Sequence, residues 1–169
     1  MSINNKNKRT ELKIERLKEL FEYDEHSGVF IRKNPIQGQK AGEIAGYRNP
    51  SGYQIIGIDY SIYFAHRLAW FYTHGEWPKV HIDHINGNPS DNRISNLRLA
   101  TVSLNRENMR KPKSDNKCGF LGVRFNKGAY QSTITVKGQE IYLGRYKTPE
   151  EAYEVYVTAK REYHEGCTI

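Results

Sequence analysis

The chain has 169 residues and a mass of 19.7 kDa, which allows one ordinary domain or two small ones. Apolar residues make up 37% and charged residues 27%, with a mean hydropathy of −0.78, so the core is thin and no run approaches the roughly 20 apolar residues of a membrane helix. Lys and Arg number 26 against 19 Asp and Glu, a net charge of +7 and a pI of about 9.3, and that surplus favours an anionic partner such as nucleic acid. No apolar segment follows Lys6, which argues against a secretory leader. Cys118 and Cys167 cannot make a disulfide framework or a four-cysteine zinc site, so a reducing, cytoplasmic setting is expected.

Residues 1–9 are polar and read as a frayed tail carrying Lys6, Lys8 and Arg9. Thr10 then precedes a helical pattern in which Ile14, Leu17, Leu20 and Phe21 recur on one face. His26-Ser27-Gly28 reads as a turn and Val29-Phe30-Ile31 as a strand, followed by a loop-rich stretch punctuated by Gly38, Gly42, Gly46 and Gly52. Strands are expected at 53–58 and 62–64, split by Asp59-Tyr60-Ser61. A helix should run from Ala65 to His74 and stop at Gly75 and Pro78. His81-Ile82-Asp83-His84-Ile85 reads as a strand ending at the turn dipeptide Asn86-Gly87, Asn96-Leu97-Arg98-Leu99 as its return, and Thr101 to about Met109 as a polar helix capped by Thr101 or Ser103.

Residues 110–117 hold no apolar side chain and read as a basic linker. Beyond it, Leu121, Val123 and Phe125, then Ile134 and Val136, then Ile141 and Leu143 alternate with polar residues, with turns at Lys127-Gly128 and Lys137-Gly138. Thr148-Pro149-Glu150-Glu151 is a helix start, and Ala152, Tyr156, Ala159 and Tyr163 form an apolar stripe behind it. The expected fold class is therefore α+β, with a three-stranded antiparallel sheet packed on one helix at the C-terminus. Charge there is polarised. Lys117, Arg124, Lys127, Lys137, Arg145 and Lys147 meet the single acid Glu140, whereas the helix segment is rich in Glu. The sheet face turned away from the helix should carry Arg124, Asn126, Gln131, Thr133, Thr135 and Tyr142, a polar face suited to a major groove and equally the ordinary outer face of a two-layer unit.

Gly122-Val123-Arg124, Tyr142-Leu143-Gly144-Arg145-Tyr146 and Thr148-Pro149-Glu150-Glu151-Ala152-Tyr153 together resemble the plant ethylene-response-factor (Apetala-type) DNA-binding domain, over about residues 117–166. That resemblance implies DNA contact by Arg124, Asn126, Thr133, Thr135 and Tyr142. Asn126, Thr133 and Thr135 stand where the plant domains usually carry Arg or Glu, and Tyr142 where they carry Trp, so a sequence preference does not transfer.

The middle segment holds the reactive side chains. Asp83-His84 ends a strand before a Gly-containing loop, Asn96 follows His84 by 12 positions, and Asn105 follows Asn96 by nine. These groups suit metal-assisted phosphodiester hydrolysis. Asp83 and Asn105 offer oxygen to a hard cation, His84 is a base that titrates near neutrality, and the Asn96 oxygen can orient its ring. An isolated Asp-His pair also caps turns, and Asn residues also fill loops. Asn108 is an alternative to Asn105 on the same helix face. His81 and His66 read more simply as a surface and a packed histidine, and Trp70 and Trp77 as core. Arg67, Arg93, Arg98, Arg106, Arg110 and Lys111 are candidate phosphate contacts.

His66-Arg67-Leu68-Ala69-Trp70, Gly75, Pro78, Ile82-Asp83-His84-Ile85-Asn86-Gly87, Asp91-Asn92-Arg93, Ser95-Asn96-Leu97-Arg98 and Asn105 together resemble the HNH endonucleases of phage and homing type, over about residues 53–110. The resemblance implies a ββα-metal hairpin with His84 as general base, Asn96 orienting it, and Asp83 and Asn105 binding Mg²⁺ or Mn²⁺. It implies one-metal cleavage of double-stranded DNA, with nicking of one strand as the alternative to cutting both, leaving 5′-phosphate and 3′-hydroxyl ends. The expected organisation is an N-terminal helix and loop-rich extension (1–52), the nuclease domain (53–110), the linker (111–117) and the DNA-binding domain (118–169). No membrane and no small-molecule cofactor is implied, and oligomeric state is left open. The rival readings are a non-catalytic DNA-binding regulator and an RNA-binding accessory protein.

Overall fold

The computed structural model describes residues 11–36, 38–112 and 114–168. The tail at 1–9 and the Thr10 helix start lie outside the described residues. In chain order the elements are α1 (Ile14–Leu20), β1 (Phe21–Asp24), β2 (Val29–Arg32), β3 (Tyr47–Arg48), β4 (Gln54–Ile58), β5 (Ser61–Phe64), α2 (Ala65–His74), β6 (His81–His84), a 3₁₀ turn at Ile94–Asn96, β7 (Leu97–Ala100), α3 (Val102–Glu107), β8 (Val123–Asn126), β9 (Ala129–Val136), β10 (Gln139–Tyr146) and α4 (Pro149–Tyr163). This is a mixed α+β chain of small antiparallel sheets. Among the described residues no helix is long and apolar enough to cross a membrane.

The chain divides into two compact units, 1–84 with 88–98, and 85–87 with 99–169. The division falls inside β7, not at 111–117 where composition alone places a linker. Asn116 shows why that segment is not a plain tether. Its side-chain amide donates to the Phe120 and Val123 carbonyls at 2.9 and 3.1 Å and accepts from the Cys118 and Gly119 amides, closing the loop into the second unit.

In the first unit, α1 stops where helical spacing gives way to alternation. Phe21-Glu22-Tyr23-Asp24 buries Phe21 and Tyr23 and exposes Glu22, so Phe21 starts β1 and does not end the helix as its spacing suggests. β1 pairs antiparallel with β2, a hairpin of which only the second strand is visible in the sequence pattern. β3 pairs with β4 and β4 with β5. The turn between β4 and β5 puts two non-glycine residues, Asp59 and Tyr60, in the left-handed region at φ 44° and 64°. Each such residue costs about 1–2 kcal/mol. Arg16 reaches back from α1 to the Asp59 carboxylate at 2.9 and 3.0 Å and fixes this turn. Leu17, Phe21, Phe30, Ile56 and Leu68 form the fully buried centre. Trp77 stacks on Phe71 at 4.3 Å and Trp70 on His74 at 4.1 Å, so both indoles pack within the unit.

In the second unit, Thr101 caps α3 through the Leu104 amide at 3.2 Å. The three-stranded sheet runs β10-β9-β8, all antiparallel. Thr148 and Glu151 form the reciprocal cap that their spacing predicts for α4. Ile134 of β9 packs with Tyr156 and Ala159 of α4. Gly122 sits at φ +74°, and a Cβ there would lie 2.0 Å from Tyr156 Cδ2, so the aromatic ring needs a bare backbone beneath it. The expected apolar faces break down at three positions. Phe125 is 60% exposed against the half-buried Tyr130 ring, at the β8–β9 turn and outside the Ile134 cluster. Ile141 and Tyr163 are exposed as well.

Candidate active site

β6 delivers two consecutive buried polar residues, Asp83 and His84, at its end. Consecutive strand residues point to opposite faces, so the two reach different partners. Arg98 of β7, the strand paired with β6, donates to Asp83 Oδ2 from Nε at 2.9 Å, and its second nitrogen lies 2.8 Å from the same oxygen. Both side chains are largely out of solvent, at 25% and 6% exposed, so the pair is weakly screened.

His84 takes its partner from the loop. Nε2 lies 3.2 Å from Asn92 Oδ1, and the Asn92 Nδ2 donates to the Ser90 carbonyl at 3.4 Å, which sets the amide the right way round. Since Oδ1 can only accept, Nε2 carries the proton and the basic lone pair sits on Nδ1. Asn96 Nδ2 donates to the Asp91 carbonyl at 2.8 Å and closes the loop on itself. The sequence pattern gives Asn96 the role of ring acceptor, and the acceptor on Nε2 is Asn92. Asn92 stands in the quoted motif, but nothing in a loop rich in Asn marks it over its neighbours.

Aromatic rings surround the imidazole. His66 meets His84 edge to face at 5.1 Å, Tyr53 lies 6.0 Å from His84 and 5.6 Å from His66, and Phe64 stacks on His66 at 5.4 Å. Burial lowers the His84 pKa, against the raising effects of Asn92, Asp83 and Asp91, so the ring is neutral at pH 7. Burial, with the charges of His84 and Arg67, lowers His66 to about 3. Its Nδ1 is buried with no hydrogen-bond partner among the described residues. His66 is thus a packed neutral ring, and His81 is exposed.

Asn105 lies in the second unit, exposed on α3. Asn108, its alternative, is buried. It donates to the Ile85 carbonyl at 3.5 Å and accepts from the Thr168 hydroxyl at 2.6 Å, which makes it a pin within that unit. Arg110 does the same, donating to the Ile85 carbonyl and to Thr168. Arg93 is bound bidentately by Asp91 at 2.7 and 2.6 Å, and Arg67 is half-buried, donating to the Pro78 carbonyl at 3.3 Å. Of the arginines expected at phosphates, Arg67, Arg93, Arg98 and Arg110 each hold an internal partner. Lys111 is exposed.

On the C-terminal sheet, pairing puts Arg124 opposite Gln131 and Tyr142 opposite Thr133, and Gln131, Thr133 and Thr135 alternate along one face of β9. Asn126 pairs with Ala129 on that same face. Arg124, Asn126, Thr135 and Tyr142 are exposed and Thr133 is half-buried. A register shift between Tyr142 and Gly144 brings Arg145 opposite Gln131. Simple alternation puts Arg145 on the helix side, and the bulge turns it outward to join Arg124. Glu140, opposite Thr135, lies 3.3 Å from Arg124 on that face.

The HNH endonuclease family matches residues 63–110, which contain Asp83, His84, Asn92, Asn96 and Asn105. The chain is also similar to protein 3.8 of Escherichia phage T7, 35% identical over 102 residues that cover 59% of this chain and 83% of that protein. No solved structure gives a significant match. With His84 seated and oriented inside the matched segment, the chain belongs to the same family as the T7 protein and carries an HNH endonuclease domain.

Proposed function

We propose that this chain is an endonuclease that hydrolyses a phosphodiester bond of double-stranded DNA with Mg²⁺ or Mn²⁺, nicking one strand per engagement because one hairpin builds one site. The observation that carries the reading is the His84 imidazole, held through Nε2 by Asn92 inside the matched segment. The donor chemistry fits a hard cation. The family pattern supplies one carboxylate and one amide oxygen, which are hard donors. On that pattern Asp83 and Asn105 would be the ligands, with Asn108, whose amide meets the Ile85 carbonyl and the Thr168 hydroxyl, as the alternative to Asn105. When bound, the cation stabilises negative charge on the phosphate and the departing 3′-oxygen.

The side chains do the rest. Asn92 keeps the proton on His84 Nε2, so Nδ1 takes one from the attacking water. Burial keeps the ring unprotonated and ready for that step. Asn96 braces the loop through the Asp91 carbonyl and so acts on the base indirectly. Arg98 fixes the Asp83 carboxylate.

The C-terminal unit brings the nuclease to duplex DNA through the face bearing Arg124, Asn126, Thr133, Thr135 and Tyr142, to which the bulge adds Arg145. Arg67 and Lys111 add backbone contacts.

The test is nicking of supercoiled plasmid and phage DNA. Relaxed circles form with Mg²⁺ and none form in EDTA. Duplex binding without any cutting would leave the non-catalytic regulator. A chain preferring RNA over duplex DNA in competition would overturn the substrate. Arg124→Ala should weaken duplex binding about tenfold and lower the salt slope by about one, with the metal requirement intact. Unchanged affinity in a gel-shift titration would remove the sheet face from the assignment.

A further inference from the structure

The loop that holds His84 is itself held from outside the segment that matches the HNH family. Tyr23 of β1 donates its hydroxyl to the main-chain carbonyl of Asn92 at 2.7 Å. The bond is buried, and the ring is wedged between Phe30 at 4.8 Å and Tyr72 at 5.7 Å. Four residues past the end of β1, the hairpin turn presses on the same backbone. Gly28 has φ +74°, and a Cβ on it would lie 2.6 Å from the Asn92 carbonyl carbon and 2.3 Å from the Arg93 nitrogen. No residue with a side chain fits there without moving the loop. Asn92 therefore has two ends with different duties. Its carbonyl is fixed by the hairpin, and its side-chain amide fixes the imidazole.

We infer that the β1–β2 hairpin is a positioning device for the base of the nuclease, with Tyr23 the positioning residue that acts on His84 through Asn92. The inference rests on the nuclease reading for its catalytic consequence, but the contact itself is independent of it. It gives the N-terminal extension a role in the reaction. The physical reason is that a loop closed mainly by its own Asn and Ser side chains keeps several near-equal arrangements. A proton acceptor must be held within a fraction of an ångström to work. A hydroxyl anchored in an aromatic core supplies that fixed point.

The experiment uses the full chain with Tyr23→Phe, which removes only the hydroxyl and keeps the ring packing. Tyr72→Phe, a hydroxyl deletion in the same aromatic cluster, is the control. Two readouts are taken. In the first, kcat for nicking by Tyr23→Phe falls about tenfold with KM and duplex affinity unchanged, in the range for loss of an outer hydrogen-bond partner. Combining it with Asn92→Ala adds nothing further, because both changes break one chain of contacts. In the second, long-range ¹H–¹⁵N spectra at pH 8 show His84 as the Nε2-protonated tautomer in the wild type and in Tyr72→Phe, and a tautomer mixture in Tyr23→Phe. Unchanged kcat together with an unchanged His84 spectrum overturns the inference. So does an equal loss in Tyr72→Phe, which would mean general loosening of the core. If the wild type fails to nick, the nuclease reading falls, and the His84 spectrum alone then decides whether Tyr23 orders the imidazole.

Discussion

His84→Ala should abolish practical nicking while leaving the chain bound to its DNA. A positioned general base contributes about 10²- to 10⁴-fold, so a loss of about 10³ in kcat is the expected result. Three features of the site put the effect at that size. The ring is 6% exposed, so outside water cannot easily substitute for it. Its tautomer is fixed by Asn92, so the wild-type base is always presented by the correct nitrogen. Its burial keeps it neutral, so little is lost to protonation at pH 7. On the proposed assignment the duplex affinity rests on the sheet face of the second unit, so it should move less than twofold. Asp83→Ala makes a useful contrast, because it removes a proposed cation ligand and also leaves the half-buried Arg98 guanidinium without its carboxylate, so that variant should lose stability as well as activity. A rate for His84→Ala within tenfold of wild type would show that some other group takes the proton.

How much of this was legible in the sequence depends on the kind of signal each residue carried. Period-two and period-3.6 patterns placed α2, β4, β5, β8, β9 and α4 within a residue or two and carried β10 to Leu143, three residues short of its end, because burial on one face dictates those spacings. β1 was missed because Leu17, Leu20 and Phe21 fit a helix face and the four-residue alternation that follows is too short to compete. Asp83 and His84 stood out as a dipeptide, yet their partners did not. Arg98 looked like a phosphate anchor, and only strand pairing reveals that it faces Asp83. Asn92 was one of several Asn residues in a single loop. Tyr23 lies 69 positions from Asn92, and no local pattern joins them. Arg145 was hidden by a bulge, which shifts alternation by one residue without any marker other than Gly144. Within residues 110–117, Arg110 and Asn116 make hydrogen bonds that a polar stretch does not advertise.

The first unit should lose stability as acid is added, and His66 should be the largest single cause. In the unfolded chain an imidazole titrates near 6.5, whereas in the folded unit burial, with the neighbouring His84 and Arg67, lowers His66 to about 3. Between those values the unfolded chain binds a proton that the folded one refuses. Stability is therefore full above about pH 7 and falls steadily as the pH drops toward 3. At about 1.4 kcal/mol per pH unit, the fall attributable to this residue from pH 7 to pH 4 is on the order of 3 kcal/mol, a large part of the stability of a small unit. Protonation has nowhere to be accommodated, because Nδ1 is buried without an acceptor and the flanking groups are the Tyr53 and Phe64 rings and a second histidine. Both tryptophans of the chain, Trp70 and Trp77, lie in this unit, so urea titrations followed by indole fluorescence report on it selectively. His66→Leu keeps an apolar body in the same space and removes the titration. Its unfolding free energy should differ between pH 7 and pH 4 by about 3 kcal/mol less than that of the wild type, even if it is somewhat lower at pH 7. A variant with the same acid slope as the wild type would mean that carboxylates such as Asp24 and Asp59, whose pKa values are lowered by their hydrogen bonds to Ser27 and Arg16, set the acid limit instead.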